Sequence, residues 1–136
     1  MHVMVVDTDV DTQDLVHYAL NEAGYEVCKA RNVADALRLS SQHPDIGIVI
    51  SDMRLDHQVT GMQMALRMRQ RLINGHYIIT CGDWNVLHSH QPDDVSILLK
   101  PYGKEDLLRA VHHGAARHQS ASRTRRKHRD AELLLV

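Results

Sequence analysis

Ile46-Gly47-Ile48-Val49-Ile50-Ser51-Asp52 decides the reading of this chain. Pro44 breaks what precedes it, five apolar or small residues follow without interruption, and the run stops at an acid. A stretch this short and apolar on both alternating faces is a strand covered on both sides, as in a parallel sheet layered between helices. The pattern recurs on either side. Upstream, Val3-Met4-Val5-Val6 ends at Asp7; downstream, Tyr77-Ile78-Ile79 leads into Thr80-Cys81-Gly82, and Val95 to Leu99 ends at Lys100-Pro101. Tyr25 to Ala30 (YEVCKA) alternates instead and reads as an edge strand.

Between these runs the period changes to that of helices. Leu15, Val16, Ala19 and Leu20 recur at helical spacing before Gly24, a stop signal. Asn32 can cap a helix whose apolar face is Val33, Ala36, Leu37 and Leu39. After the loop 53–60, Gly61 opens a helix carrying Met62, Met64, Ala65, Leu66, Met68 and Leu72, with Arg67, Arg69 and Arg71 turned to solvent. A weak helical stretch spans Trp84 to His90, and a fifth helix starts near Lys104 with Leu107, Leu108 and Val111. Five strands alternating with five helices imply parallel βα units with right-handed crossovers: an α/β, doubly wound sheet.

Composition narrows the class. The 136 residues suffice for one domain, 43% are apolar and 24% charged, and Phe is absent, so Val, Ile, Leu, Met and Ala build the core. No apolar run approaches the roughly 20 residues that cross a bilayer, and the N-terminus is too short and too acidic for a signal peptide. Two cysteines, Cys28 and Cys81, are too few for a disulfide framework and point to a reducing cytoplasm. Residues 1–116 sum to −5, whereas 117–136, with Arg117, Arg123, Arg125, Arg126, Lys127 and Arg129, sum to +4. The expected division is a domain at 1–116 and a basic, disordered tail at 117–136.

Open parallel sheets bind ligands beyond the carboxyl ends of their strands. By that rule Asp7 and Asp9 from the first strand, Asp52 from the third, Thr80 from the fourth and Lys100 from the fifth meet at one edge. Hard oxygen donors of this kind suit Mg²⁺. A carboxylate among them can act as a nucleophile toward a phosphoryl donor, where catalysis is mostly positioning and charge neutralisation. Nothing resembles a catalytic triad, a glycine-rich phosphate loop or a zinc motif.

Five segments in order now carry a family likeness: Val5-Val6-Asp7-Thr8-Asp9, Ile50-Ser51-Asp52-Met53-Arg54-Leu55, Thr60-Gly61, Ile79-Thr80-Cys81-Gly82-Asp83 and Leu98-Leu99-Lys100-Pro101-Tyr102. Over residues 2–116 the chain resembles the receiver domains of response regulators in two-component signalling, and its loop after Asp52 is most similar to receivers of hybrid sensor kinases. The resemblance implies a flavodoxin-like sheet in the order 2-1-3-4-5 with a cis Lys100–Pro101 bond. It makes Asp52 the phosphoacceptor, Thr80 the switch hydroxyl and Lys100 the phosphate-binding lysine. Asp7, Asp52 and the backbone carbonyl of Arg54 become Mg²⁺ ligands, and Asp9, through a shifted loop, is the candidate for the second family carboxylate where Thr8 stands. The implied partners are a histidine kinase or phosphotransfer protein and a downstream protein, with a homodimer compatible and no membrane. Self-catalysed phosphotransfer and autodephosphorylation are the activities implied. The 20 residues after 116 leave no room for an output domain within this chain.

Departures from the family pattern stand beside the likeness. Thr8 replaces the second of two adjacent acids, Asp56 replaces a common proline, and Ile97 replaces the switch aromatic. Thr8 and Ile97 favour a non-phosphorylated pseudo-receiver that only binds proteins. A third reading gives the basic tail to nucleic acid, although a short basic run without a folded reader is more often a solvated terminus. A flavin-binding protein of the same topology would need a phosphate loop after the first strand, and none is there. Asp9 or Asp11 can equally cap the first helix. Eleven histidines invite a metal, but His88/His90 and His112/His113 lack supporting ligands at metal spacing and read as surface. Trp84 is either core or switching surface, and Cys81 reads as a small buried apolar residue.

Overall fold

The computed structural model describes residues 1–55, 59–72 and 74–134, with side chains as far as Ala121. Strands β1 (His2–Val6), β2 (Glu26–Ala30), β3 (Ile46–Asp52), β4 (His76–Cys81) and β5 (Val95–Leu99) alternate with helices α1 (Val10–Glu22), α2 (Val33–Gln42), α3 (Gly61–Met68), α4 (Trp84–Leu87) and α5 (Lys104–Leu134). All pairs are parallel and the order is β2-β1-β3-β4-β5, the doubly wound arrangement expected. The strand order reverses between β1 and β3, so a crevice opens beyond their carboxyl ends.

Each face of the sheet carries its own core. Met4, Val6, Ala30, Val49 and Ile79 pack under α2 and α3 with Ala36, Met64, Met68 and Leu72. Val3, Val5, Ile48, Ile50 and Ile78 pack under α1 and α5 with Val16, Leu20, Leu107 and Val111. Burying a side chain such as Leu20 or Met64 completely contributes about 1.5–3 kcal/mol of transfer free energy. Strand β3 breaks its own alternation. His2 pairs with Ile46 but Val3 with Ile48, so Gly47 is the extra residue of a bulge. Ile46 therefore lies on the α2/α3 face with Val49, although simple alternation would put it with Ile48.

Capping explains where the helices begin. The side chain of Asp9 caps α1, that of Asn32 caps α2, and Thr60 and Gln63 form a reciprocal capping box on α3. Three sequence expectations need correction. Leu15, assigned to the apolar face of α1, is 72% exposed, because the buried stripe is Gln13, Val16, Ala19 and Leu20. Leu66 is likewise half exposed while Met64, Ala65 and Met68 turn inward. Residues 117–134, expected to lack structure, continue α5 as helix. No Gly or Pro follows Gly114, and elongating an anchored helix through Ala, Arg, Lys and Leu costs little compared with nucleating one.

Candidate functional site

The carboxyl edge of the sheet gathers the residues singled out above. Asp52 is the last residue of β3 and stands opposite Thr80 of β4 in register, and the Met53 amide donates to the Thr80 carbonyl at 2.9 Å. Just beyond β5, Lys100 places its Nζ 3.0 Å from Asp52 Oδ2. The other carboxylate oxygen, Oδ1, accepts from the Arg54 amide at 3.3 Å. Lys100 is held by its own backbone: its amide donates to the Cys81 carbonyl at 2.8 Å, and the Lys100–Pro101 bond is cis as expected. Thr80 is buried at the floor of this edge.

Asp7 follows β1 and is only 9% exposed. Burial raises its pKa; the Asp9 amide, donating to Oδ1 at 2.9 Å, opposes that, and the Asp52 charge pushes it up further. Two carboxylates thus sit side by side with one ammonium bound to the second. Asp9 lies apart in its chemistry. Its oxygens accept from the Asp11 amide at 3.2 Å and the Thr12 hydroxyl at 2.7 Å, so both are engaged at the start of α1. The hydrogen bond from Thr12 is the main reason its pKa is lowered.

Two features of the edge fall on residues of the family likeness, Gly61 and Tyr102, to which the sequence reading assigns no role. The first is the close approach of α3 to β3. A Cβ on Gly61 would stand 2.4 Å from the Asp52 carbonyl oxygen and 2.9 Å from Ser51 Oγ, and the Gly61 amide donates to the Met53 carbonyl at 2.8 Å. Ser51 is buried and its hydroxyl donates to that same Asp52 carbonyl at 2.9 Å. The second is Tyr102, half-buried after the cis bond; burial raises its pKa first, then the charges of Asp7 and Asp52. An apolar groove between α1 and the β5–α5 turn adjoins Lys100, lined among others by Val16, Tyr18, Tyr102 and Leu107.

Other expectations resolve as follows. Trp84 is 61% exposed and lies tilted against the His88 ring, so it is surface and not core. Cys28 and Cys81 are free, on strands separated by β1 and β3, and Cys81 is buried. Ile97 is half-buried against the α2/α3 core. Arg67, Arg69 and Arg71 are on the surface, where Arg69 forms a two-pronged ion pair with Asp94. Asp56 lies outside the described residues.

The donor chemistry fits Mg²⁺: the Asp7 and Asp52 carboxylates and the Arg54 carbonyl are hard oxygens, and Mg²⁺ typically takes one or two carboxylates and completes its shell with water. A third protein carboxylate is not needed.

The family model for the response regulator receiver domain matches residues 3–112. No curated protein matches the chain significantly. Among solved structures, a response regulator receiver domain protein from Clostridium thermocellum is 22% identical, with a TM-score of 0.76 over 87% of this chain and 96% of that one. The receiver domain of the hybrid histidine kinase CckA is 20% identical, with a TM-score of 0.72 over 84% and 98%. A chain from the adenylate cyclase of Rhodopirellula baltica is 17% identical, with a TM-score of 0.84 over 94% and 96%. At these identities the structures share the fold.

Proposed function

The chain belongs to the response regulator receiver domain family, and on that premise we propose that it accepts a phosphoryl group on Asp52 and uses it to switch its protein contacts. The observation that carries this reading is the Lys100 ammonium 3.0 Å from the Asp52 carboxylate, beside a second, buried carboxylate at Asp7. An Asp52 oxygen attacks phosphorus as the bond to the leaving group breaks. From a kinase or phosphotransfer protein the leaving group is the imidazole of a phosphohistidine; from a small acyl phosphate it is a carboxylate. Lys100 then exchanges its contact with Asp52 for one with a phosphoryl oxygen, and the Thr80 hydroxyl donates to another. Bound Mg²⁺, held by Asp7, Asp52 and the Arg54 carbonyl, would supply further neutralisation of the phosphoryl oxygens. Asp9 serves the α1 cap in this scheme.

The aspartyl phosphate adds negative charge and acceptor oxygens at the edge where β3, β4 and β5 end. Movement of Thr80 and Lys100 toward them biases the loops after β3 and β4 and the α4–β5–α5 surface, where a downstream protein binds. Free Cys28 and Cys81 suit a reducing cytoplasm, and among the described residues no helix is long and apolar enough to cross a membrane.

One observation favours a second reading. With Thr8 replacing an acid and both Asp9 oxygens engaged by the cap, the site has a single carboxylate beside Asp52, which weakens Mg²⁺ binding and favours a pseudo-receiver. One experiment separates the two. Intact-mass spectrometry after incubation with acetyl phosphate and Mg²⁺, or with phosphorylated kinase, should show a gain of one hydroxylamine-labile phosphoryl group. That gain should vanish in Asp52→Ala and without Mg²⁺. Absence of the gain with every donor sinks the phosphoacceptor reading and leaves the interaction module.

A further inference from the structure

The far end of the sheet carries a second cluster of ligating side chains. His2, His43 and Asp45 each offer one donor atom, and the three atoms lie within 4.8 Å of one another. His2 opens β1, and Asp7 follows that strand, so five residue steps of ~3.3 Å put the cluster roughly 16 Å from the phosphoacceptor edge. It has no part in the chemistry proposed there.

We infer that His2, His43 and Asp45 form a binding site for a borderline divalent metal of the Zn²⁺ type. Two imidazoles and one carboxylate are the donors such an ion prefers, and three protein ligands leave its fourth position to water. The hydrogen-bonded pair already has the spacing of a ligand edge. His2 Nδ1 and Asp45 Oδ2 are 3.3 Å apart, and two donors each about 2.1 Å from a tetrahedral ion are separated by about 3.4 Å. The His43 ring meets the His2 ring edge-on, with centroids 5.2 Å apart and planes at 68°, so the third donor closes on the pair by side-chain rotation.

The backbone holds all three ligands. His2 is 9% exposed, locked in the first strand pair. It lies on the α2 side of the sheet, as do Met4 and Val6, the next residues of that face. The Gly47 bulge beside it brings Ile46, and with it the preceding turn, to the same side. His43 ends α2, its amide donating to the Leu39 carbonyl at 2.8 Å, and its own carbonyl accepts from the Ile46 amide at 3.1 Å. That turn presents His43 and Asp45 on either side of Pro44, His43 partly exposed and Asp45 exposed, while His2 forms the buried wall. A bound ion would clip the α2–β3 turn to the first strand. The sequence conceals this arrangement, because 40 residues separate His2 from His43 and no ligand-spacing motif links them.

Zn²⁺ titrated by calorimetry into the full chain should bind one equivalent at this site and raise the melting temperature. Because the chain holds eleven histidines, the variants decide. His43→Ala and Asp45→Asn, at positions outside the buried core and expected to fold, should each lose at least tenfold in affinity. The double variant His88→Ala/His90→Ala should bind as the wild type does. Co²⁺ should give the intense visible absorption of a four-coordinate ion with wild type and not with His43→Ala. Wild-type affinity in both His43→Ala and Asp45→Asn, loss in His88→Ala/His90→Ala alone, or no saturable binding overturns the proposal.

Discussion

Replacing Gly61 by Ala opposes two effects of opposite sign. Gly61 is the first residue of α3 and its φ is not left-handed, so by helix propensity alone alanine should stabilise by up to ~1 kcal/mol. The added methyl, however, would stand 2.4 Å from the Asp52 carbonyl and 2.9 Å from Ser51 Oγ. The nearest partner is strand backbone, which cannot swing aside as a flexible side chain does. Relief requires α3 and the end of β3 to separate by several tenths of an ångström, and such overpacking costs about 1–3 kcal/mol. The expected net is a destabilisation of about 1–2 kcal/mol. With a urea slope near ~2 kcal/mol per molar, the unfolding midpoint should fall by about 0.5–1 M in circular dichroism. The same displacement moves Asp52 relative to Lys100, so phosphorylation by acetyl phosphate should slow as well. A midpoint that rises would refute the reasoning, because it would show that propensity and not close approach governs the position.

Two further outcomes follow from buried ionisable groups. Folding raises the Asp7 pKa, so the folded chain holds that proton more tightly than the unfolded one, and stability falls as pH rises through the folded-state value. Asp7→Asn should therefore unfold at higher urea than wild type at pH 7, with the gain shrinking in acid; a less stable variant at pH 7 would contradict this. His76 shows the opposite sign: burial, followed by the neighbouring His113 and Arg117, lowers its pKa from 6.5 to about 4, while its ring bonds to Ser96. The unfolded chain takes up that proton first, so on the order of 3 kcal/mol present above pH 6.5 is lost as pH falls toward 4. Denaturation midpoints across that window should slope more gently in His76→Gln, and an unchanged slope would exclude His76 as the cause.

Much of this protein is written in local pattern. Short apolar runs ending in Asp7, Asp52, Thr80 and Lys100 declare buried parallel strands with polar ends, because a strand covered on both faces tolerates polar residues only where it leaves the sheet. Once those strands are parallel, their carboxyl ends share one edge, and the site residues assemble without further information. The cap at Asn32 is equally local, since its side chain and the Asp35 amide three residues away decide it. What depends on contacts between distant segments is not legible. Whether Asp9 faces an ion or caps α1 turns on the path of one loop, and Leu15 reads as core until α1 is rotated against the sheet. The Gly47 bulge reverses the face of Ile46 without any change in residue type. Gly61 is required by a carbonyl on another element, and His2 meets His43 and Asp45 only because β1 and β3 are neighbours. Periodicity reports which residues avoid water; which particular atoms they then touch is settled by how the helices dock on the sheet, and only the tertiary structure holds that.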